Sequence, residues 1–349
     1  MPHTAYLAAQ LAAHPAMEAQ DLYKLCYQAA FGAEHLLTDP ARALTYFKEE
    51  YAPLTPREGE LAEPISDTLC RVDLSVYKSL GLPEEWLFSL FCATASAPSR
   101  GADLVSLLSE TESYLRREGR EALADAFSAF CAARLAEPLC PVHHSGTYRR
   151  AEAPHYRLVS RAYLRALPIL RAYARLPERQ APTVIAIDGR CASGKTTLAE
   201  ILSRVLGASV IHMDDFFLPP SLRTEDRLAE AGGNVHYERF ALEVLPRLSL
   251  SAPFSYRVFD CGQMDYAGER AVDASPVRIV EGSYALHPAF GDYAHLAVFS
   301  HVEADEQMRR ILIRNGEEMA ERFRTRWIPM EERYFDACSV SARADLCLT

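Results

Sequence analysis

The stretch TVIAIDGRCASGKTTLAEILSRVL, from Thr183 to Leu206, decides the fold of this chain. Residues 184–187 form a short apolar, β-branched run, which is typical of a strand buried on both faces. Residues 189–196 (GRCASGKT) match the phosphate-binding loop pattern G-x-x-x-x-G-K-[ST]. Apolar residues then recur at helical spacing, and Gly207 predicts the end of that helix. The stretch therefore predicts the strand, loop and helix that the pattern requires.

The residue types of this loop indicate phosphate chemistry. Gly189 and Gly194 permit backbone angles that let successive N–H groups surround phosphate oxygens, and the following helix points its positive end at them. Lys195 can reach the β- and γ-phosphates, and the Thr196 hydroxyl is placed to ligate Mg²⁺. An ordinary glycine-rich turn is the alternative, but the full pattern favours nucleoside triphosphate binding, so we expect ATP and Mg²⁺ as cofactors. The expected nucleotide-binding residues are Gly189, Arg190, Cys191, Ala192, Ser193, Gly194, Lys195, Thr196 and Thr197.

Composition narrows the class of protein. A chain of 349 residues suits two domains, and 49% hydrophobic with 24% charged residues is typical of a soluble protein. A net charge of −10 argues against a general nucleic-acid-binding role. Nine cysteines without a C-x-x-C pair predict reduced thiols. With no evident signal peptide or apolar run of about 20 residues, the predicted location is cytoplasmic, without a membrane partner.

The pattern of elements predicts two domains. Residues 1–176 are expected to form an all-α helical domain of unknown role, and the proline-flanked segment 177–182 a linker. Residues 183–349 alternate strands with helices, which predicts an α/β domain built on a doubly wound parallel sheet. Its strands are expected at 184–187, 209–213, 256–259, 277–280, 296–301 and 345–348.

Polar clusters in the N-terminal half leave two interpretations open. The stretch 141–157 (PVHHSGTYRRAEAPHYR) gathers His, Tyr and Arg side chains, which suit either an anionic ligand or a polar inter-domain surface. The pair Glu34 and His35 is a weaker candidate for a polar site. Three arginines at helical spacing predict a charged stripe on one helix, namely Arg157, Arg161 and Arg165.

Acidic residues follow three predicted strands at the rim that carries the phosphate loop. Asp214 is a candidate general base or metal ligand, and its neighbour Asp215 competes for that role or caps a helix. Glu281 fits an acidic Mg²⁺ ligand. Several arginines in residues 309–326 predict a mobile lid over the triphosphate, although a mixed-charge solvated helix is the alternative.

Residues from about 183 to 349 resemble the uridine kinase group of phosphate-loop kinases, which includes phosphoribulokinase. The segments that carry the resemblance are IDGRCASGKTT, HMDDFF, YRVFD, VRIVEGSYAL, RRILIRNG and ADLCL. The resemblance implies that Asp214 is the base and a metal neighbour and that Glu281 is a second acidic ligand. It also implies that Arg310 and Arg314 are lid arginines and that Lys195 acts on the transferring phosphate.

Two departures from the family concern the acceptor. Uridine kinases hold the ribose hydroxyls with an acid where this chain reads GGNVHY (232–237), and Met264 stands where a histidine is expected near the base. We therefore expect a kinase that phosphorylates a hydroxyl of a small molecule, with an anionic molecule as one candidate acceptor. We expect uridine and cytidine to be poor substrates. The alternative is an NTP-hydrolysing switch whose helical domain binds a regulated partner. The sequence leaves the oligomeric state open.

Overall fold

The computed structural model describes residues 2–33, 37, 39–97, 103–178 and 180–349. The chain divides into two compact units, residues 1–164 and 165–349. This division precedes the predicted linker 177–182, because the helix Leu167–Tyr173 packs against a strand of the second unit. Glu34 and His35 lie outside the described residues.

The first unit combines helices with a small sheet. Its helices are α1 (His3–Ala13), α2 (Ala19–Phe31), α3 (Pro40–Tyr51), α4 (Leu74–Ser79), α5 (Glu84–Ser96), α6 (Leu104–Arg117), α7 (Glu121–Leu135), α8 (Gly146–Glu152) and α9 (Arg161–Leu164). Its strands are β1 (Ala62–Pro64), β2 (Leu69–Asp73) and β3 (Tyr156–Ser160), which pair antiparallel in that order.

This sheet shows that the expectation of an all-α N-terminal domain is wrong. The strands have only three to five residues, too few for a period-2 pattern to stand out among helical segments. The predicted arginine stripe is also wrong, because Arg157 lies in β3, Arg161 begins α9 and Arg165 follows it.

Helix α2 lies at the centre of the first unit's core. It packs against α6 and α7, and its apolar face is buried, with Leu22, Leu25 and Cys26 fully covered. Leu158 of β3 joins the same core, so one face of the small sheet is covered by these helices.

The second unit is an α/β domain. Its strands are β4 (Thr183–Gly189), β5 (Ser209–His212), β6 (Phe254–Asp260), β7 (Asp265–Val272), β8 (Val277–Glu281), β9 (Leu296–Ser300) and β10 (Leu346–Leu348). Its helices are α10 (Leu167–Tyr173), α11 (Lys195–Leu206), α12 (Glu225–Ala229), α13 (Tyr237–Glu243), α14 (Ala304–Arg322), α15 (Ile328–Ala337) and α16 (Val340–Arg343).

Five of these strands form one parallel sheet in the order β10-β9-β4-β8-β5. Strand β4 is central and all seven of its residues are buried, as its apolar sequence predicts. Since the carboxyl ends of parallel strands share one edge, the loops after β4, β5 and β8 open on the same rim.

The strand predicted at 256–259 does not belong to this sheet. Instead, β6 and β7 form a separate antiparallel hairpin. Strand β7 is exposed over most of its length, and its charged residues hid it from a search for apolar runs. The turn between the strands holds Met264 in the left-handed region, with φ of 57°.

Two expectations from the sequence concern membrane-spanning segments and the cysteines. Within the described ranges, no helix is long and apolar enough to cross a membrane. None of the nine cysteines, all of which lie in the described ranges, forms a disulfide in the structure.

Candidate functional site

The phosphate-binding loop connects β4 to α11. Gly189 has φ of 138°, and a side chain there would overlap the backbone of Ser300. Lys195, the first residue of α11, is buried and its Nζ donates to the carbonyl oxygens of Gly189 (2.7 Å) and Arg190 (2.9 Å). The hydroxyl of Ser193 is buried without a hydrogen-bond partner among the described residues. The loop therefore offers polar groups that its own fold does not fully satisfy.

Two adjacent glutamates of α15 fasten this loop. Glu331, which is buried, accepts hydrogen bonds from the backbone N–H of Cys191 (3.0 Å) and from Ser283 Oγ (2.6 Å). Glu332 binds the guanidinium of Arg190 through both oxygens, at 2.6 and 2.8 Å. Arg190 consequently supports the loop from outside the pocket.

Two arginines contact the carbonyl side of the loop. Arg165 Nη1 donates to Ser193 O (2.7 Å), and Arg310 Nη1 donates to Ala192 O (3.1 Å). Burial, together with the nearby charge of Arg310, lowers the pKa of Arg165. Sequence reasoning assigned no site role to Arg165 or to the two glutamates, because no local pattern marks them.

The acids at the rim differ in environment. Glu281, at the end of β8, is buried and accepts from Thr196 Oγ1 (3.3 Å) and from His212 Nδ1 (2.6 Å). The hydrogen bond to Glu281 raises the pKa of His212. The Asp214 carboxyl is open to the pocket, but the surrounding protein still desolvates it and Glu281 repels its charge, so its pKa is raised.

Asp215 lies away from the pocket. It is buried and accepts hydrogen bonds from Tyr256 Oη (2.8 Å) and Arg270 Nε (2.7 Å), both on the hairpin. The side chain of Arg239 donates to its carbonyl oxygen. Asp215 therefore anchors the hairpin, which neither reading of its sequence position anticipated.

A cavity of about 860 Å³ opens at this rim. It brings together most of the predicted site, whereas Gly189, Arg190 and Ser193 do not line it. The predicted residues that line it are Cys191, Ala192, Gly194, Lys195, Thr196, Thr197, Asp214, Glu281, Arg310 and Arg314. A site of this size accommodates a small molecule beside a nucleotide's phosphates.

The wall opposite the loop contains the segment that departs from the uridine kinase pattern. Asn234 and Met264 line the cavity together with Arg223, whereas His236 does not. Arg223 donates to Leu218 O (2.7 Å) and makes no ion pair with a carboxylate of the described residues. Gly233 is required here, since a side chain would overlap the carbonyl of a neighbouring residue.

Most of the arginine-rich segment 309–326 lies in α14, which is broken at Gly316 with φ of 77°. Arg324 and Arg326 lie in the following π-helical turn, Phe323–Trp327. Arg310, Arg314 and Arg322 line the cavity, whereas Arg309 pairs with Glu306 on the exposed surface. Only part of the predicted arginine cluster therefore faces the site.

Asp188, which precedes the loop, ties it to two other segments. The fully buried carboxylate accepts from the backbone N–H groups of Gly189 (2.7 Å), Tyr284 (3.1 Å) and Leu286 (2.8 Å), and from Tyr334 Oη (2.7 Å). Burial outweighs these bonds and raises the pKa of Asp188 to about 6.

We expect Asp188→Asn to destabilise the fold by about 1–3 kcal/mol, because the amide nitrogen leaves at least one buried donor unsatisfied. The raised pKa also makes the stability of the wild type depend on pH, because the folded state binds the Asp188 proton more tightly than the unfolded chain does. The stabilisation that comes from this proton is greatest below the pKa of the unfolded chain and is lost as pH rises through about 6. The stability advantage of the wild type over the variant should therefore grow as pH falls from 7 to 4. Urea unfolding of both proteins across this range measures it, and an advantage that shrinks would contradict the assignment.

Comparison with known proteins finds similarity to solved structures. No family model matches the chain. Among solved structures, a possible uridine kinase from Bacillus stearothermophilus is 19% identical with a TM-score of 0.43, covering 53% of this chain and 97% of that one. D-glycerate 3-kinase from Cryptococcus neoformans var. grubii is 15% identical with a TM-score of 0.35, covering 50% and 87%.

Both matches extend over about half of this chain. The roles of individual residues rest on the loop, acids and cavity described above.

Proposed function

We propose that this protein is an ATP- and Mg²⁺-dependent kinase that transfers the γ-phosphoryl group to a hydroxyl of a small molecule. The observation that carries the proposal is the cavity in which Lys195, Thr196, Asp214 and Glu281 meet beside the phosphate-binding loop. Phosphoryl transfer depends on positioning and on charge stabilisation, and these residue types supply both.

The loop residues fit a triphosphate. Lys195 now donates to loop carbonyls, and its ammonium can exchange them for phosphate oxygens without leaving the cavity. The backbone N–H groups at the start of α11 add further donors. Arg310 and Arg314 would place positive charge near the transferring group.

The residues also fit a hard cation with few protein ligands. Thr196 and Glu281 lie in contact, and Asp214 opens on the same cavity. No cluster of three or more His, Cys, Asp or Glu side chains suited to a metal occurs in the described part of the chain. Mg²⁺ keeps several waters and substrate phosphate oxygens as ligands, so the oxygens of Thr196, Asp214 and Glu281 suit it. When bound, Mg²⁺ would neutralise charge on the phosphates.

Asp214 would accept the proton of the acceptor hydroxyl. Its carboxyl reaches the cavity directly, whereas Asp215 is committed to the hairpin. On the acceptor side, Arg223 offers a cation without a carboxylate partner among the described residues, which favours an acceptor carrying a carboxylate or phosphate.

A steady-state comparison of acceptors tests this function. With saturating Mg·ATP, we expect an anionic hydroxy-acid or phosphorylated sugar to give a much higher kcat/KM than uridine or cytidine. Arg223→Gln should lower kcat/KM for the anionic acceptor by about 10–100-fold, the worth of a charged hydrogen bond, and leave the KM for ATP unchanged. Uridine as the best substrate would refute the anionic acceptor. Stimulation of ATP turnover only by a macromolecule would favour the NTP-hydrolysing switch.

A further inference from the structure

The first unit contains a cavity of its own, of about 600 Å³, which falls in the range of small-molecule sites. Its walls come from the end of α1, the segment before β1, strand β2 and residues 148–156. Members of the polar cluster 141–157 thus line a cavity rather than merely a surface.

Arg71 of β2 lies at the base of this cavity, and only 3% of the residue is exposed. Its guanidinium donates to the amide oxygens of Gln10 (2.9 Å) and Gln28 (2.9 and 3.2 Å) and lies 4.9 Å from the ring centre of Tyr156. It makes no ion pair with any carboxylate of the described residues. These partners fix the orientation of the guanidinium but carry no negative charge.

The other cationic groups around the cavity are paired with carboxylates, His155 with Glu50 among them, whereas Glu60, which also lines the cavity, makes no ion pair with the described residues. His14 lies between Glu63 (2.7 Å) and Glu152 (3.3 Å). Arg57 pairs with Asp73. The buried guanidinium at the base is therefore the cation that lacks a counter-charge, and burying such a group is costly until an anion joins it.

Hydrogen bonds hold the side chain of Tyr156, which lines the cavity. His144 Nδ1 donates to Asp21 (2.7 Å), which leaves Nε2 to accept from Tyr156 Oη (2.7 Å), and Gln28 donates to the same hydroxyl at 3.1 Å. Burial lowers the pKa of His144, which keeps the ring in the neutral form that this chain of hydrogen bonds requires. Gln28 thus positions both Arg71 and Tyr156.

We propose that this cavity binds a small-molecule anion whose carboxylate or phosphate group pairs with Arg71. An oriented guanidinium recognises planar carboxylates and phosphates through two hydrogen bonds. Tyr148 and Tyr156 also line the cavity and offer aromatic surface to the rest of the molecule. The site is independent of the kinase proposal, since all its residues lie in the first unit.

Titration calorimetry of the full-length chain tests the proposal with three probes: succinate, glycerol 3-phosphate and inorganic phosphate. Saturable binding of succinate would indicate a carboxylate ligand, and preference for glycerol 3-phosphate a phosphate ester. Arg71→Met should weaken the binding about 10–100-fold. Binding of phosphate to the loop of the second unit would persist in this variant and is thereby separated. Arg149→Met, which removes an exposed arginine outside the cavity, should bind as the wild type does.

A second variant keeps the test decisive if Arg71→Met does not fold. Ala13 is exposed at the end of α1 and lines the cavity, so Ala13→Glu adds a repelling charge without disturbing the core. We expect it to weaken binding about three- to fivefold, as a solvent-exposed charge can. No saturable binding of any probe by the wild type, or equal binding by the wild type and both cavity variants, would overturn the proposal.

Discussion

Lys195→Ala is expected to lower turnover by about 10²–10³-fold, the usual cost of losing one preorganised electrostatic contact in the transition state. The ammonium is buried beside the loop, so no other side chain of the loop can replace it. Initial-rate assays with Mg·ATP and the best acceptor measure the effect.

Because Lys195 also donates to two loop carbonyls, the variant needs a folding control. Thermal unfolding separates a lost contact from a collapsed loop, and Lys195→Met preserves much of the buried volume. Lys48→Ala removes an exposed lysine of the first unit and should leave turnover unchanged. Turnover of Lys195→Ala within about twofold of wild type would remove the assignment of the phosphate-binding loop.

The sequence was most informative where the chemistry is contiguous. A phosphate-binding loop is built from consecutive backbone N–H groups, so its residues must appear as one pattern. The positions of the strands in the parallel sheet followed from apolar runs, because a central parallel strand such as β4 is covered on both faces. Glu281 and Asp214 were singled out because each directly follows a predicted strand.

The supports of the loop could not be predicted in this way. Glu331 and Arg165 approach the loop from distant parts of the chain, and each sits in a segment whose charges resemble a solvated helix. The small sheet of the first unit and strand β7 were missed because short or exposed strands carry little apolar periodicity. Arg71 was not singled out either, because nothing in the sequence LCRVD (69–73) indicates that its arginine is buried.

The neighbouring acids after β5 give the second large effect. Asp214→Asn is expected to lower the rate by about 10²–10⁴, the usual contribution of a general base. The change is nearly isosteric, and Asp214 makes no hydrogen bond within the described protein that the fold would lose. Its unfolding temperature should therefore stay close to that of the wild type.

Asp215→Asn provides the matched control, because we expect it to lower the stability more than the rate. Its carboxylate is buried against Arg270 and Tyr256, so the substitution leaves an arginine of the hairpin without its counter-charge. Breaking a buried ion pair typically costs about 3–5 kcal/mol of stability, and this is an upper bound here because Arg270 is partly exposed. We expect the effect of Asp215→Asn on the rate to be milder than that of Asp214→Asn. Measuring kcat and the unfolding temperature of both variants separates the two roles. If Asp215→Asn instead abolished turnover at unchanged stability while Asp214→Asn remained active, the base would have to be reassigned, and the hairpin anchor would need another explanation.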